Sequence, residues 1–388
     1  MVRSFNDSSN HTKCPDPWDD EGTRELLQKF CFWFGGIFFC TIGALGLIGN
    51  ALSIIVYSSK ELRSTFHVFL VVLSAFDIGY ILMCVVNEGL EMPGYFSPDW
   101  PDSHSNVWIH LFPTFLYPLR QMFLTASMYT TVSICINRYL FIVHPFYMDQ
   151  LRRHSTSFTS NQSASFEIDS NRIAGYIFGV VLFSIAYSVP HFFEYKISID
   201  AEGNHEVVWT DLRKNEIYTL VFTIGIDFSF RVVLPVVVML FTNLRIFMIL
   251  HRQPDCGSKD KQFAITLFTL VTIFLLCQSG KIAINIQEFL TLSVISECQE
   301  IDNHLGETAW DIIMSRVARV LLLLNSSINF VVYMASSKQF RRKLCRLRCR
   351  RPLESAQITN PFFFVDDSDC TWDIIFGQKK STHAMCHM

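Results

Sequence analysis

Apolar residues gather in seven long runs along this chain. A helix needs about 20 mainly apolar residues to cross a bilayer core, and in lipid it must satisfy its backbone hydrogen bonds internally. The qualifying runs are Phe30–Tyr57, Phe66–Val86, Val107–Val143, Ile173–Phe193, Tyr218–Leu250, Phe263–Val294 and Ile312–Met334. The third and seventh are the most polar, and no internal repeat is visible. The pattern predicts an all-α bundle of seven transmembrane helices over residues 30–334. An N-terminal tail, 1–29, precedes it, and a tail, 335–388, follows.

Charge orients the bundle. With the N-terminus outside, residues 58–65, 144–172, 251–262 and the tail from Ala335 face the cytoplasm. These carry Lys60, Arg63, Arg152, Arg153, Arg172, Arg252, Lys259 and Lys261, then Lys338, Arg341, Arg342, Lys343, Arg346, Arg348, Arg350 and Arg351. The outer segments 87–106 and 295–311 have no Lys or Arg, and 194–217 has Lys196, Arg213 and Lys214. The positive-inside rule therefore selects N-out and C-in. Sequons at Asn6 and Asn10 fall in the outer tail and are expected to be glycosylated. Those at Asn161 and Asn325 fall in an inner loop and within a span, where modification is not expected.

Half the residues are apolar and 17% are charged, so a bilayer suits this composition better than a single core surrounded by water. A net charge of -3 gives no ground for a nucleic-acid partner. The twelve cysteines show no CxxC pair and no His/Cys ligand spacing, so no metal site is indicated. Met1–Lys13 is polar, and the first span is expected to serve as the insertion signal. Seven apolar helices also describe some transporters, but the paired halves and broken helices typical of those are not seen.

An ionisable or amide side chain within the bilayer is a functional candidate, because its desolvation is expensive. Here these residues fall in a pattern: Gly49-Asn50 in the first span, Leu73-Ser74-Ala75-Phe76-Asp77 in the second, Ser127 and Asn137-Arg138-Tyr139 in the third, and Asn325 with Asn329-Phe330-Val331-Val332-Tyr333 in the seventh. The set resembles rhodopsin-like (class A) G-protein-coupled receptors over almost the whole spanning region. The resemblance implies a seven-helix receptor, not an enzyme, with a heterotrimeric G protein as inner partner and no cofactor. It also implies a polar network of Asn50, Asp77, Ser127, Asn325 and Asn329 in which a sodium ion binds. Carboxylate, hydroxyl and amide oxygens suit such an ion. A hydrogen-bonded packing cluster without an ion is the alternative.

By the same resemblance Asn137, Arg138, Tyr139, Gln278, Asn329 and Tyr333 form the switch and coupling set, with several departures. Asn137 replaces the family's acid beside Arg138 and cannot neutralise a guanidinium, so elevated basal signalling is expected. Phe330 stands for the proline of the seventh-helix motif, and Asn243 for a tyrosine of the fifth helix. Gln278 and Gly280 stand for the Trp and Pro of the sixth. Pro235 keeps the fifth-helix kink, and glycine preserves bendability without forcing one. A receptor unable to signal is the other reading of these changes. The family's disulfide from the third helix is missing on both sides: its expected position is Pro113, and 194–217 has no cysteine. Cys14 and Cys298 are the candidates for a bridge on the oxidising side.

Finer resemblance, in Tyr117-Pro118, Ser127 to Val132, His144-Pro145, Pro190 to Glu194 and Asn325 to Phe330, is to invertebrate and nematode FMRFamide-type neuropeptide receptors. It implies an amidated Arg-Phe-type peptide as extracellular ligand; a sensor of small external chemicals, and a membrane transporter, are the alternatives. The outer acids Asp16, Asp19, Asp20, Glu21, Glu91, Asp99, Asp102, Glu297, Glu300, Asp302 and Glu307 would attract a cation, or are simply a solvated surface. Deeper, Glu88, Arg120, Gln121, Asp227, Arg231, Lys281, Glu288 and Arg319 are the candidate ligand-binding residues. Asp227 and Arg231, one turn apart, are expected to pair with each other. Glu88 or Glu288 is expected to take the ligand's guanidinium. At the inner end Phe340-Arg341-Arg342-Lys343 resembles the family's short amphipathic cytoplasmic helix, suited to anionic lipid. Cys345 and Cys349 are its palmitoylation candidates, and disorder is expected beyond it.

Overall fold

The computed structural model describes residues 14, 20–59, 65–91, 102–143, 162–199, 205–252, 258–301 and 308–349. The expected glycosylation sites Asn6 and Asn10, and the side chains of Cys298 and Cys349, lie outside the described residues. The chain divides into two compact units, 1–336 and 337–388.

The first unit holds the predicted bundle. Helix α1 runs continuously over Glu21–Tyr57 and α2 over Thr65–Glu91. Helix α3 comprises Asp102–Leu111, a π-turn segment Phe112–Leu116, and Tyr117–Val143. Helix α4, Gln162–Ser188, is followed by the 3-10 turn Pro190–Phe193. Helix α5 comprises Glu216–Tyr218, π-turn segments Thr219–Ile226 and Ser229–Val233, and Leu234–Arg252. Helix α6 is unbroken over Ser258–Ile301, and α7 comprises Ala309–Ser327 and Asn329–Ser336 with a 42° bend between them. By length and apolarity α1, α2, α4, α5 and α6 can each cross a membrane, and α7 qualifies as a bent pair.

Helix α3 is the polar exception, and its chemistry shows how it stays in the centre. Thr125, Thr130, Thr131 and Ser133 each return the hydroxyl hydrogen to the carbonyl four residues back, at 2.7–3.2 Å. This satisfies a donor that lipid would leave unpaired. On one side α3 meets a core of Phe39, Tyr80, Ile81, Cys84, Leu124, Val320 and Leu323. On the other it meets Met128, Val132, Cys135, Met239, Val271 and Phe274. The outward faces of the bundle are apolar, as Leu45, Ile48, Phe178, Leu182, Leu244 and Phe247 illustrate.

The helix starts and bends have local causes. Helix α1 begins at Glu21 rather than Phe30, which shortens the expected tail. Asp20 caps it by accepting the Thr23 N–H at 2.7 Å, and Leu27 is already buried. In α3 and α5 a π-turn segment ends two residues before a proline, Pro118 and Pro235. Proline lacks an N–H and its ring crowds the preceding turn, so the helix widens there. The carbonyl of Phe230, five residues before Pro235, instead accepts the Tyr129 hydroxyl at 2.7 Å. The bend in α7 occurs without proline. Asn50 donates to the Ser326 carbonyl at 2.9 Å, next to the bend, and Gly49 leaves room for Phe330.

One element was not predicted. Strands β1, Tyr195–Ile199, and β2, His205–Trp209, form an antiparallel hairpin between α4 and α5. The alternation of Lys196, Ile197, Ser198 and Ile199 carries its signal, in a segment too short to stand out beside long helical runs.

Helix α6 continues without a break through Gly280. A Cβ there would lie 2.9 Å from the Ala318 Cα on α7, so glycine is needed for close helix approach. Gly280→Val is expected to destabilise the bundle by about 1–3 kcal/mol, read as a lower melting temperature of purified protein. An unchanged melting temperature would show that the two helices separate freely.

The second unit contains α8, Lys338–Cys349, whose first turn is closed by the Phe340 N–H donating to the Ser337 hydroxyl at 3.2 Å. Its sequence places Arg341, Arg342, Lys343 and Arg346 among apolar residues, and Cys345 is a free thiol.

Candidate ligand cavity and polar core

A cavity of about 590 Å³ opens between α2, α3, α5, α6, α7 and the hairpin. That volume suits one end of a peptide or a small organic molecule. Of the eight residues expected to bind ligand, Arg120, Gln121, Arg231, Lys281 and Arg319 line it. Aromatic side chains of Tyr80, Trp108, Phe112, Tyr117 and Tyr195 supply much of the remaining wall.

Glu88 is committed to other residues. Its two carboxylate oxygens take Arg316 at 2.6 Å and Arg319 at 2.9 Å, and Arg316 also reaches Glu91 at 2.5 Å. The Arg316 and Glu88 side chains are 6% and 4% exposed, so each needs the other's charge. Arg316 passes beside Gly35 of α1, where a Cβ would lie 3.1 Å from its Cδ. Sequence reasoning missed Arg316: its partners are more than 220 positions away, and no local motif joins them.

Asp227 pairs with Arg231 as expected, at 3.1 Å, but it also takes Lys281 at 3.1 Å and the Tyr187 hydroxyl at 2.8 Å. Arg231 continues to the Gln121 carbonyl oxygen at 2.6 Å and contacts His191 Nε2 at 3.4 Å. Glu288 lies apart, paired with Arg213 at 2.8 Å. Both carboxylates expected to receive a ligand guanidinium are thus already occupied by arginines of the chain itself.

The hairpin is fastened at Glu194. This carboxylate accepts Tyr117 at 2.5 Å, Tyr218 at 2.9 Å and His191 Nδ1 at 2.9 Å, while its backbone carbonyl accepts the Thr210 N–H at 3.1 Å. The His191 contacts fit the tautomer protonated at Nδ1, which leaves Nε2 to accept from Arg231. Burial opposes charge on Glu194. The bond from His191, the charge of Arg213 and the Tyr117 hydroxyl outweigh it and hold the carboxyl below its usual range. Tyr195 packs edge-on against Tyr117 and Phe112, near Pro113, where the missing cysteine was expected. Cys14 is in a disulfide, and Cys31, Cys40, Cys84, Cys135, Cys277 and Cys345 are free, so none of those six is its partner.

At the cavity floor Gln278 donates to the Met128 sulfur at 3.5 Å. Toward the other end of the bundle lies the expected polar network. Asp77 accepts Ser127 at 2.6 Å on one oxygen and Asn329 at 2.7 Å on the other. Asn325 lines a pocket of about 10 Å³ together with Ser127 and Asn329. Asn50 stands off from Asp77 and ties α1 to the α7 bend. The buried Asn50 Oδ1 and Ser74 Oγ have no hydrogen-bond partner. The Asp77 carboxylate, with the Ser127 hydroxyl and the Asn329 side-chain amide beside it, is a suitable oxygen set for a small hard cation.

Below this network Arg138 lies face-on to Phe66 of α2, its guanidinium carbon 3.7 Å from the ring centroid. The Asn137 side chain makes no hydrogen bond among the described residues. Tyr139 packs near Phe241 of α5, Tyr333 packs edge-on against Tyr57 of α1, and Asn243 reaches Cys135 of α3.

The family model described as 7 transmembrane receptor (rhodopsin family) matches residues 49–333. The FMRFamide receptor of Drosophila melanogaster is 21% identical over 365 residues, covering 88% of this chain, which spans 60% of that receptor's length. The probable G-protein coupled receptor frpr-1 of Caenorhabditis elegans is 26% identical over 360 residues, covering 88% of each chain. Galanin receptor type 1 of Rattus norvegicus is 23% identical over 350 residues, covering 86% and 89% respectively.

Proposed function

The chain belongs to the rhodopsin family of seven-transmembrane receptors, and we propose that it is a plasma-membrane receptor for an extracellular neuropeptide that couples to a heterotrimeric G protein. The observation that carries this reading is the aromatic and charged cavity, which reaches from the hairpin down to Gln278 above the Asp77 network. Ligand pressing on that floor would act on α3 and α6 together, because Gln278 and Met128 join them. An outward tilt of α6 would then uncover Arg138 and the inner loops.

The names of the relatives support an amidated Arg-Phe-type peptide as the class to try first. Its arginine would meet the acidic outer rim, because Glu88 and Glu288 are occupied. The basic segments support an orientation with the N-terminus outside and α8 against the inner leaflet. Cys345 and Cys349 are the proposed sites of lipidation, Asn6 and Asn10 of glycosylation, and Cys298 the proposed partner of Cys14. A sodium ion would be held by Asp77, Ser127 and Asn329 with Asn50 and Asn325 nearby. When bound, it supplies the positive charge that a buried carboxylate lacks.

Membranes carrying the full receptor and a G protein are expected to exchange nucleotide faster when an amidated Arg-Phe peptide is added, with half-maximal effect at submicromolar concentration. Saturable solute uptake into vesicles, with no peptide-evoked exchange, would overturn the proposal.

A further inference from the structure

The wall of the cavity and the layer behind it hold five cations, Arg120, Arg231, Lys281, Arg316 and Arg319, against four carboxylates, Glu88, Glu91, Asp227 and Glu194. Each of Glu88, Glu91 and Asp227 is bound to at least one of those cations, and Glu194 is bound to Tyr117, Tyr218 and His191. Arg120 is the cation without such a partner: among the described residues no carboxylate lies within 4.0 Å of it. Its guanidinium carbon lies 5.5 Å from the ring centroid of Tyr117, one turn away on α3, which gives it an aromatic face but no counter-charge.

We propose that Arg120 receives an anionic group of the ligand, so that the part of the ligand reaching deepest carries a carboxylate and not a guanidinium. The inference rests on the cavity being the ligand site. A ligand guanidinium would meet only carboxylates that are already paired, because Glu88 serves Arg316 and Arg319, Glu91 serves Arg316, and Asp227 serves Arg231 and Lys281. A carboxylate at Arg120 breaks none of these and lowers the surplus of positive charge in a low-dielectric enclosure. The neighbouring Gln121 has its carbonyl oxygen committed to Arg231, so what it still offers is N–H. The aromatic wall fits a phenyl ring beside that carboxylate. Two sources share this chemistry: a free C-terminal carboxylate, or an Asp or Glu side chain in an amidated peptide.

The test uses the full-length receptor in lipid nanodiscs, with thermal melting and binding titration of four probes. Acetyl-phenylalanine carries a terminal carboxylate, and acetyl-aspartyl-phenylalaninamide carries one on a side chain. Acetyl-phenylalaninamide is neutral, and acetyl-arginyl-phenylalaninamide is cationic. One of the carboxylate probes is expected to bind about tenfold or more tightly than the neutral and cationic probes, and which of the two wins identifies the source. Arg120→Gln removes the preference and Arg120→Lys keeps its sign. A neutral or cationic probe that binds as well, no stabilisation by any probe, or a preference that survives Arg120→Gln would overturn the proposal. If Arg120→Gln does not fold, the wild-type ranking alone decides. The ranking is read without a G protein, so it can fail while peptide-evoked exchange succeeds, and the reverse.

Discussion

Arg316→Leu is expected to destabilise the receptor by about 3–5 kcal/mol, enough to remove most of it from the cell surface. The reason is what remains. Glu88 would stay buried with Arg319 alone, and Glu91 would lose its contact with Arg316, so carboxylates already out of water would keep their desolvation penalty with less repayment. Arg316→Lys should be milder but not neutral, because one ammonium cannot make the two directed bonds that a guanidinium makes to two carboxylates. The check is a cycle with Glu88→Leu. If the pair is the source of the loss, the double variant should be more stable than Arg316→Leu alone, since an apolar pair replaces a broken ionic one. Surface abundance and melting temperature are the readouts. Equal loss in the single and double variants would show that Arg316 matters for shape and not for charge.

The second large effect concerns signalling. Phe66→Leu is expected to raise ligand-free nucleotide exchange by up to about thirtyfold, the equivalent of about 2 kcal/mol for a desolvated cation–aromatic contact. Leucine keeps an apolar side chain beside Arg138 but lacks the negative ring face that holds the guanidinium in place. Asn137 contributes no charge, and this contact is a restraint on Arg138 made from α2. Asn137→Asp works in the opposite direction: a carboxylate beside Arg138 should lower basal exchange. Basal exchange measured on matched amounts of folded receptor decides both. A Phe66→Leu receptor no more active than the parent would remove this contact from the account of activation.

The spans, their order and the polar core were legible because each leaves a local mark. Runs of apolar residues predict helices, and Asn50, Asp77 and Asn329 stand out because amides and acids are rare at that depth. The pair Asp227 and Arg231 was readable from a spacing of one turn. The Arg316 cluster was not, since nothing local ties residue 316 to residues 88 and 91. That omission also misdirected the expected role of Glu88, which looked like a vacant acceptor only while its two arginines were unseen. The start of α1 was read late because Glu21 to Lys29 is a polar surface helix, and a search for apolar length passes over it. The same dependence on long-range pairing hid Glu194, which appeared in the sequence as one acid at the end of a span and proved to be a junction of three side chains.

That junction has a consequence for ligand exchange. Glu194 and its phenol and imidazole donors occupy the region where a sulfur bridge would otherwise fasten the lid, so thiol reductants do not act on this latch. Hydrogen bonds break and re-form on microsecond to millisecond timescales without any change of covalent state. The hairpin beside the cavity is therefore expected to loosen and re-form with thermal motion, and the residence time of a bound molecule to depend on the hydrogen bonds to Glu194 together with the packing of Tyr195 on Tyr117 and Phe112.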